Sequence, residues 1–596
     1  MKNKVNLKKV SDVVAEVLIE EKVSHVFVIS GGASLHLIHS LADNENIQYI
    51  CNHNEQASAM AADGYSRVSG NIGVTITTSG PGATNLITGI CCSYYDSVPT
   101  LFITGQVSTS RMKGDTGVRQ IGFQETPIVD VVKSITKYAY TINHPSEIKY
   151  QIQKALHIAR SGRPGPVLID IPDDLQRVNI ESSLLNNFQP DIEQEKGKLT
   201  DTILDIMSMI KKSKRPVIIA GWGVHLSKTQ SDFIKFAEDL NLPIALTWGA
   251  ADLISFDHEL YIGTFGTHGN RHANFAVQNA DLIISFGSRL DTKSTGSPVN
   301  TFARKAKRIM VEIDINELNK FKKFDLKFDK LIHCDLKDFF DEVQKINIQK
   351  FFNKHDDWVN QINQWQEAFN AFDDRKNLST TQVNPYNFVD RISDNLKENS
   401  KVIIDTGCSI AWFMQSIRTP KTVRVFHDFN NTAMGWALPA SIGGYYADLG
   451  KSPIITIVGD GGFMMTSYEL ATAMHNNIPL KIFIMNNQGY SMIQQTQDQW
   501  LDSNYYASSK QGGISFPDFQ KLSKAYNFKY FELKDDSDLH LVEEIFAYPK
   551  ALICNVFIDN DFRVTPQVKF GRPNEDMGPL LPREMFNANM IIDPIN

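Results

Sequence analysis

The stretch Pro453-Ile454-Ile455-Thr456-Ile457-Val458-Gly459-Asp460-Gly461-Gly462, answered by Leu480-Lys481-Ile482-Phe483-Ile484-Met485-Asn486-Asn487, decides the fold. Each is a short apolar run that ends in turn residues, and a helical pattern over Ser467 to His475 separates them. Strand, helix and strand in that order make a parallel pair, so Asp460 and Asn487 meet at the C-terminal ends, where open α/β sheets bind ligands. An Asp oxygen, an Asn oxygen and a backbone carbonyl, that of Gly489, form a hard donor set for Mg²⁺ or Ca²⁺. Gly459, Gly461 and Gly462 let backbone amides approach phosphate oxygens, and the helix expected from Ser467 points its positive end at them. These residues read as a metal-assisted diphosphate anchor; they also suit a Gly-rich βα turn and an Asn-rich turn with no ligand.

The same pattern recurs along the chain. Apolar runs ending in Gly, Asp or Pro stand at Val26 to Ser30, Val74 to Ser79, Leu101 to Gly105, Val167 to Pro172, Val217 to Gly221, Leu282 to Gly287, Ile309 to Asp314, Val402 to Gly407 and Leu552 to Ile558, with helical patterns between them. Alternation of this kind predicts the α/β class with doubly wound parallel sheets. Asn179 to Lys198 lacks apolar periodicity, and Phe339 to Asn384 is charged and mostly helical in pattern. We therefore expect three domains, 1–180, 195–345 and 380–565, with a proline-bearing tail, 566–596, that packs as a lid or arm.

A net charge of −7 and 21% charged residues show no basic excess, which argues against nucleic acid as a partner. The cysteines (Cys51, Cys91, Cys92, Cys334, Cys408, Cys554) lack CxxC spacing and sit mostly in apolar segments, as thiols of a reducing compartment do. Val10 to Glu21 reads as an amphipathic helix, not a signal-peptide core, and no run reaches the roughly 18 apolar residues of a membrane span. A cytoplasmic small-molecule enzyme is the expectation.

Gly-Asp-Gly followed after one helix and one strand by Asn-Asn resembles the diphosphate motif of thiamine diphosphate (ThDP) enzymes. The resemblance extends to His53-Asn54-Glu55-Gln56-Ala57 and its Ala-rich helix, to Thr77-Thr78-Ser79-Gly80-Pro81-Gly82-Ala83-Thr84-Asn85, and to Asn431-Thr432-Ala433-Met434-Gly435-Trp436. It implies that the first domain binds the coenzyme's pyrimidine, with Ser79 and Asn85 in that pocket and Glu55 exchanging a proton with the ring nitrogen. It further implies that the Thr432 carbonyl and the Met434 side chain hold the coenzyme bent, and that Asp460, Asn487 and Gly489 bind its Mg²⁺. Read without the family, Glu55 is a first-turn acid that complements a helix dipole, and Met434 is a core residue.

Gly105-Gln106-Val107, Phe123-Gln124-Glu125-Thr126-Pro127, Ser134-Ile135-Thr136-Lys137 and Ser161-Gly162-Arg163-Pro164-Gly165-Pro166 narrow the resemblance to the acetolactate synthase catalytic subunit and its flavin-containing relatives. This implies Gln106 and Phe123 as catalytic residues and a central FAD-binding-like domain, with Arg163, Gly221, Thr247, His268, Gly287, Arg289, Asp291, Glu312 and Asp335 lining the flavin site. Glycine turns after strands suit a dinucleotide diphosphate, and acids at strand ends suit ribose hydroxyls. The same turns also occur in a domain that has lost its cofactor. Arg289 is expected near both flavin and the acceptor's carboxylate. The implied reaction joins the two-carbon unit of pyruvate to a second keto acid in a homodimer or homotetramer, with or without a regulatory subunit.

Four departures fall on the acceptor side: Thr496 where the family has Trp, extra residues around Gly114-Asp115-Thr116-Gly117, Leu290 to Lys293 in the flavin segment, and the tail from Gly571 to Met577. They raise an alternative carboligase whose acceptor is another carbonyl, such as a nucleotide-linked keto sugar. A 2-keto acid decarboxylase lacks support, because Ser30-Gly31-Gly32 replaces the paired His such enzymes use as proton donors.

Overall fold

The computed structural model describes residues 7–190, 199–369, 378 and 380–595. Three six-stranded sheets, every pairing parallel, follow one another along the chain. In spatial order the first runs Gln48–Cys51, His25–Val28, Gly73–Thr77, Thr100–Gln106, Val167–Pro172, Tyr138–Thr141. The last repeats that topology with Arg424–His427, Lys401–Ile404, Ile454–Gly459, Lys481–Asn486, Leu552–Phe557 and Lys529–Leu533. The middle sheet runs Tyr261–Thr264, Ile244–Leu246, Pro216–Ala220, Leu282–Phe286, Lys307–Glu312, Lys330–His333. That is the 3-2-1-4-5-6 order of dinucleotide-binding folds, whose crevice opens between the first and fourth strands.

Helices cover both faces of each sheet, so the central strands are buried throughout, as Gly73–Thr77, Pro216–Ala220 and Lys481–Asn486 are. The strands missed in the sequence are mostly edges. Gln48–Cys51, Tyr138–Thr141, Lys330–His333 and Lys529–Leu533 are half-exposed, so their apolar runs are broken, and Ile244–Leu246 is too short to stand out.

Asn179 to Lys198 begins with a strand, Asn179–Glu181, that pairs antiparallel with Leu7–Lys9; residues 191–198 of that stretch lie outside the described ones, as do 370–377 and 379 of Phe339 to Asn384. The tail is a strap on the middle sheet. Val568 N–H donates to the Thr267 carbonyl (2.9 Å), Asn574 to the Ser294 carbonyl (2.8 Å), and Phe586 is buried against Phe275.

The first and last sheets of one chain meet through the helices Glu55–Ser69 and Ala437–Asp448. A Cβ on Gly64 would lie 2.3 Å from the Ala440 carbonyl oxygen, and one on Gly443 would lie 1.9 Å from that of Ala61. The missing side chains of Gly64 and Gly443 are what permit this approach.

Candidate functional site

In the last sheet the register pairs Gly459 with Met485, so the two C-terminal edges bring Asp460 beside Asn486 and Asn487. Asp460 is 1% exposed; its Oδ1 accepts from Gly461 N–H (2.7 Å) and its Oδ2 from Gly489 N–H (3.3 Å). Burial nevertheless pushes its carboxyl up to about 7. The Asn487 amide donates to Ser491 Oγ, which leaves its carbonyl oxygen as a donor for a metal. A buried carboxylate and an amide oxygen are hard ligands, and they fit Mg²⁺ or Ca²⁺.

The helix starts earlier than expected. It runs Asp460–Thr466, turns as a 3₁₀ segment over Ser467–Glu469 and resumes at Leu470–His475, so Ser467 is not its beginning. Packing overrides the poor helix propensity of the glycines. A Cβ on Gly461 would lie 2.3 Å from Tyr490 Cε1 and 3.0 Å from Met434 Cε, and one on Gly462 would lie 2.8 Å from Asp405 Oδ1.

Met434 thus comes to the metal motif from a separate turn. Thr432 and Gly435 have φ of +53° and +86°. Ala433 N–H donates to Asp428 Oδ2 (2.8 Å), Gly435 and Ala437 N–H donate to Asp405 (3.1 and 3.0 Å), and Thr466 Oγ1 donates to the Gly435 carbonyl (2.8 Å). Asp405 stands at the end of the first strand of this sheet and Asp460 at the end of the third, which flank its topological switch point.

In the first sheet Glu55 opens its helix, capped by the Asn54 side chain, and Asn85 Nδ2 donates to Glu55 Oε2 at 2.9 Å. Ser79 is buried at the start of the Gly80 turn (φ +59°), whose tightness is set by the Gln124 carbonyl, 2.9 Å from where a Cβ would stand. Phe123, beside it, is 84% exposed. Glu55, Ser79, Asn85 and Phe123 therefore form one face. Gln106 does not reach it: the side chain is 2% exposed, donates to the Thr126 carbonyl (2.8 Å) and Asp170 (3.1 Å), and accepts from Val107 N–H. Its amide is consumed in holding the Thr126 loop. Glu469, missed in the sequence, bonds Asn52 and His53 N–H (both 2.8 Å) and so joins the segment before Glu55 to the run that follows Asp460.

The middle sheet carries a cleft of about 1240 Å³, open mouth included, lined by Arg163, Thr247, His268, Gly287, Arg289, Asp291, Glu312 and Asp335 among others. Gly221 lies beneath it; a Cβ there would fall 2.3 Å from the Gly287 carbonyl oxygen, so this glycine serves turn packing. Arg289 Nε bonds Glu317 at 3.0 Å, and Arg163 bonds Asp314 (3.0 Å) and Glu317 (2.8 Å). Asp291 and Asp335 cap short helices, and Glu312 folds onto its own backbone. Trp222, Trp248 and Phe429, which the sequence reading did not weigh, also line the cleft, as does Lys293 of the departing flavin segment. Lys293 Nζ lies 5.4 Å from the Trp248 ring. Trp222 Nε1 and both His268 nitrogens are buried with no hydrogen-bond partner among the described residues. Orphaned donors in an aromatic cleft at the switch point of a 3-2-1-4-5-6 sheet fit a dinucleotide such as FAD.

Family models agree with this division. Residues 8–132 match the N-terminal TPP binding domain of thiamine pyrophosphate enzymes, 203–342 the central domain, and 405–556 the C-terminal TPP binding domain. The acetolactate synthase large subunit of Lactococcus lactis subsp. lactis (strain IL1403) is 32% identical over 570 residues, 95% of both chains. The chain belongs to the acetolactate synthase family of thiamine pyrophosphate enzymes. The probable acetolactate synthase large subunit of Methanocaldococcus jannaschii is 33% identical over 87% of each chain, and acetolactate synthase 1, chloroplastic, of Nicotiana tabacum is 31% identical over 96% of this chain and 85% of its own. Membership makes the protein a thiamine diphosphate-dependent enzyme that forms carbon–carbon bonds.

Within this acetolactate synthase framework the departures have definite places. Thr496 lies half-buried on the helix Ser491–Trp500 and bonds back to the Met492 carbonyl (3.1 Å). The loop containing Gly114 to Gly117 is tied to buried Glu125, which accepts from Lys113 N–H (2.6 Å) and Ile121 N–H (2.9 Å). Among the described residues no helix is long and apolar enough to cross a membrane.

Proposed function

We propose that the enzyme decarboxylates pyruvate and adds the remaining two-carbon unit to a second keto acid, with ThDP held by Mg²⁺ at Asp460, Asn487 and the Gly489 carbonyl. The observation that carries this reading is the convergence of Asp460, Asn487 and Met434 on the switch point of the last sheet. When bound, the coenzyme supplies an electron sink at which a keto acid loses carbon dioxide. Asp460 ionises against the cation and fixes the diphosphate end. Gly461 and Gly462 keep that floor low, Met434 lies against Gly461, and the Thr432 carbonyl would accept from the amino group of the coenzyme's pyrimidine. Glu55, oriented by Asn85, holds and returns the proton of the pyrimidine nitrogen. Phe123 shields the reacting centre from water once a second subunit covers it, and Gln106 acts by holding the Thr126 loop.

The functional unit is a homodimer or homotetramer in which Glu55 and Asp460 of different subunits meet, a regulatory subunit is compatible with it, and the enzyme works in the cytoplasm. FAD occupies the middle cleft as a structural element, since the reaction moves no electrons to it. Full-length likeness to acetolactate synthases does not favour a nucleotide-linked keto sugar as acceptor. The test is acetolactate formation from pyruvate alone with ThDP and Mg²⁺; turnover that requires an added carbonyl acceptor would refute the keto acid assignment.

A further inference from the structure

Between the first and last sheets lies a buried cluster that borders the middle-sheet cleft through Asp96, Phe429 and Asn430 and runs up to the Thr432–Met434 turn. Arg67, 6% exposed, donates from Nε to Asp63 Oδ1 (2.7 Å), from one terminal nitrogen to Asp96 Oδ2 (2.9 Å) and from the other to the His427 carbonyl (3.0 Å). The guanidinium carbon lies 5.1 Å from the Trp436 ring and 5.9 Å from that of Phe429, and Trp436 Nε1 donates to Asp63 Oδ1 at 3.0 Å. Asp96, 1% exposed, accepts from Phe429 N–H (3.0 Å), Asn430 N–H (3.1 Å) and Asn430 Nδ2 (2.7 Å). The next residues are the turn whose Ala433 N–H is held by Asp428.

That turn needs holding. Thr432 is β-branched and sits at φ +53°, a region such residues leave unless their surroundings over-determine it. Asp405 and Thr466 fix the turn from its C-terminal side. On its N-terminal side, the segment His427–Asn430 is fixed by Arg67 and Asp96, both from the first sheet's domain. We propose that Arg67 is a positioning residue that acts through Asp96 to set the Thr432–Met434 turn, so that one domain governs the coenzyme geometry of another in the same chain. The proposal rests on the reading that this turn holds ThDP. The fork geometry matters as well as the charge, because three directions must be served at once. Asp63, Asp96 and Asp428 all surround this one cation, and burial holds the carboxyls of Asp96 and Asp428 above the ordinary carboxylate range.

Removing the guanidinium outright would strand buried carboxylates and endanger folding, so Arg67→Lys, which keeps the charge and loses the fork, is the first variant and Asp96→Asn the second. Amide hydrogen exchange by mass spectrometry on coenzyme-free, full-length protein should speed up about tenfold or more in residues 427–435 in both variants, with Asp460–Thr466 unchanged and the melting temperature near wild type. With ThDP and Mg²⁺ added, affinity should stay near wild type while hydrogen–deuterium exchange at the thiazolium carbon, and kcat but not KM for pyruvate, fall about tenfold. Wild-type exchange in 427–435 in both variants would overturn the inference, as would a loss spread evenly over the chain. A wild-type protein that binds no ThDP would remove the function reading and this inference together, whereas normal thiazolium exchange in both variants removes this inference alone.

Discussion

Asp460→Asn should act in opposite directions on stability and on coenzyme binding. In the metal-free protein burial raises the Asp460 carboxyl from 3.8 to about 7. The folded state therefore binds this proton more tightly than the unfolded state does. The stability it brings is complete below pH ~4 and is lost as pH rises through about 7. About three pH units at ~1.4 kcal/mol each correspond to at most about 4 kcal/mol of destabilisation at pH 8. Asn has nearly the same shape and no charge to desolvate, so the metal-free variant should melt several degrees above wild type at pH 8, the difference shrinking as pH falls from 8 to 5. Asp96, Asp170 and Asp405 are also pushed up to about 7, but they titrate in both proteins and drop out of the difference. Mg²⁺ with ThDP should reverse the order, raising the melting temperature of wild type and leaving Asp460→Asn where it was. The assay is thermal unfolding across pH 5 to 8 with and without both ligands. A flat difference between the metal-free proteins, or Mg²⁺-dependent stabilisation of the variant by ThDP, would refute the assignment.

Other outcomes follow from the same geometry. Glu55→Gln should bind ThDP normally but slow hydrogen–deuterium exchange at the thiazolium carbon by about a hundredfold or more, as loss of an acid–base group does; unchanged exchange removes Glu55 from that role. Gly461→Ala drives a methyl into Tyr490 and Met434, costs about 1–3 kcal/mol and should weaken ThDP binding, while Gly459→Ala, whose nearest neighbour is Ser409 Oγ at 4.0 Å, should be tolerated. Added FAD should quench the tryptophan emission of flavin-free protein through Trp222 and Trp248. Emission that stays constant, with no flavin released from purified protein on denaturation, would leave the cleft to another ligand. Thr496→Trp should narrow the acceptor space and lower turnover with bulky keto acids relative to pyruvate.

Much of the fold was legible because central strands of doubly wound sheets are buried on both faces and read as unbroken apolar runs. Val167–Pro172 and Ile454–Gly459 were placed to the residue. Edge strands such as Tyr138–Thr141 mix polar and apolar residues because one side meets solvent, so no local signal marks them. At the site, spacing alone foretold that Asp460 and Asn487 would meet. It could not foretell that Gln106 spends its amide on Thr126 and Asp170, or that Arg289 is held by Glu317, since those partners lie 20 to 64 and 28 residues away. The Arg67 cluster was invisible for the same reason: its bond to His427 spans 360 residues.

The central claim is that Glu55 of one subunit and Asp460 of its partner act on a single coenzyme. Glu55→Gln and Asp460→Ala chains, co-expressed with different affinity tags and purified through both, give mixed dimers in which one site has both residues and the other has neither. The account predicts two inactive parent proteins and a mixed dimer with about half the wild-type activity; a mixed dimer as inactive as its parents would contradict it.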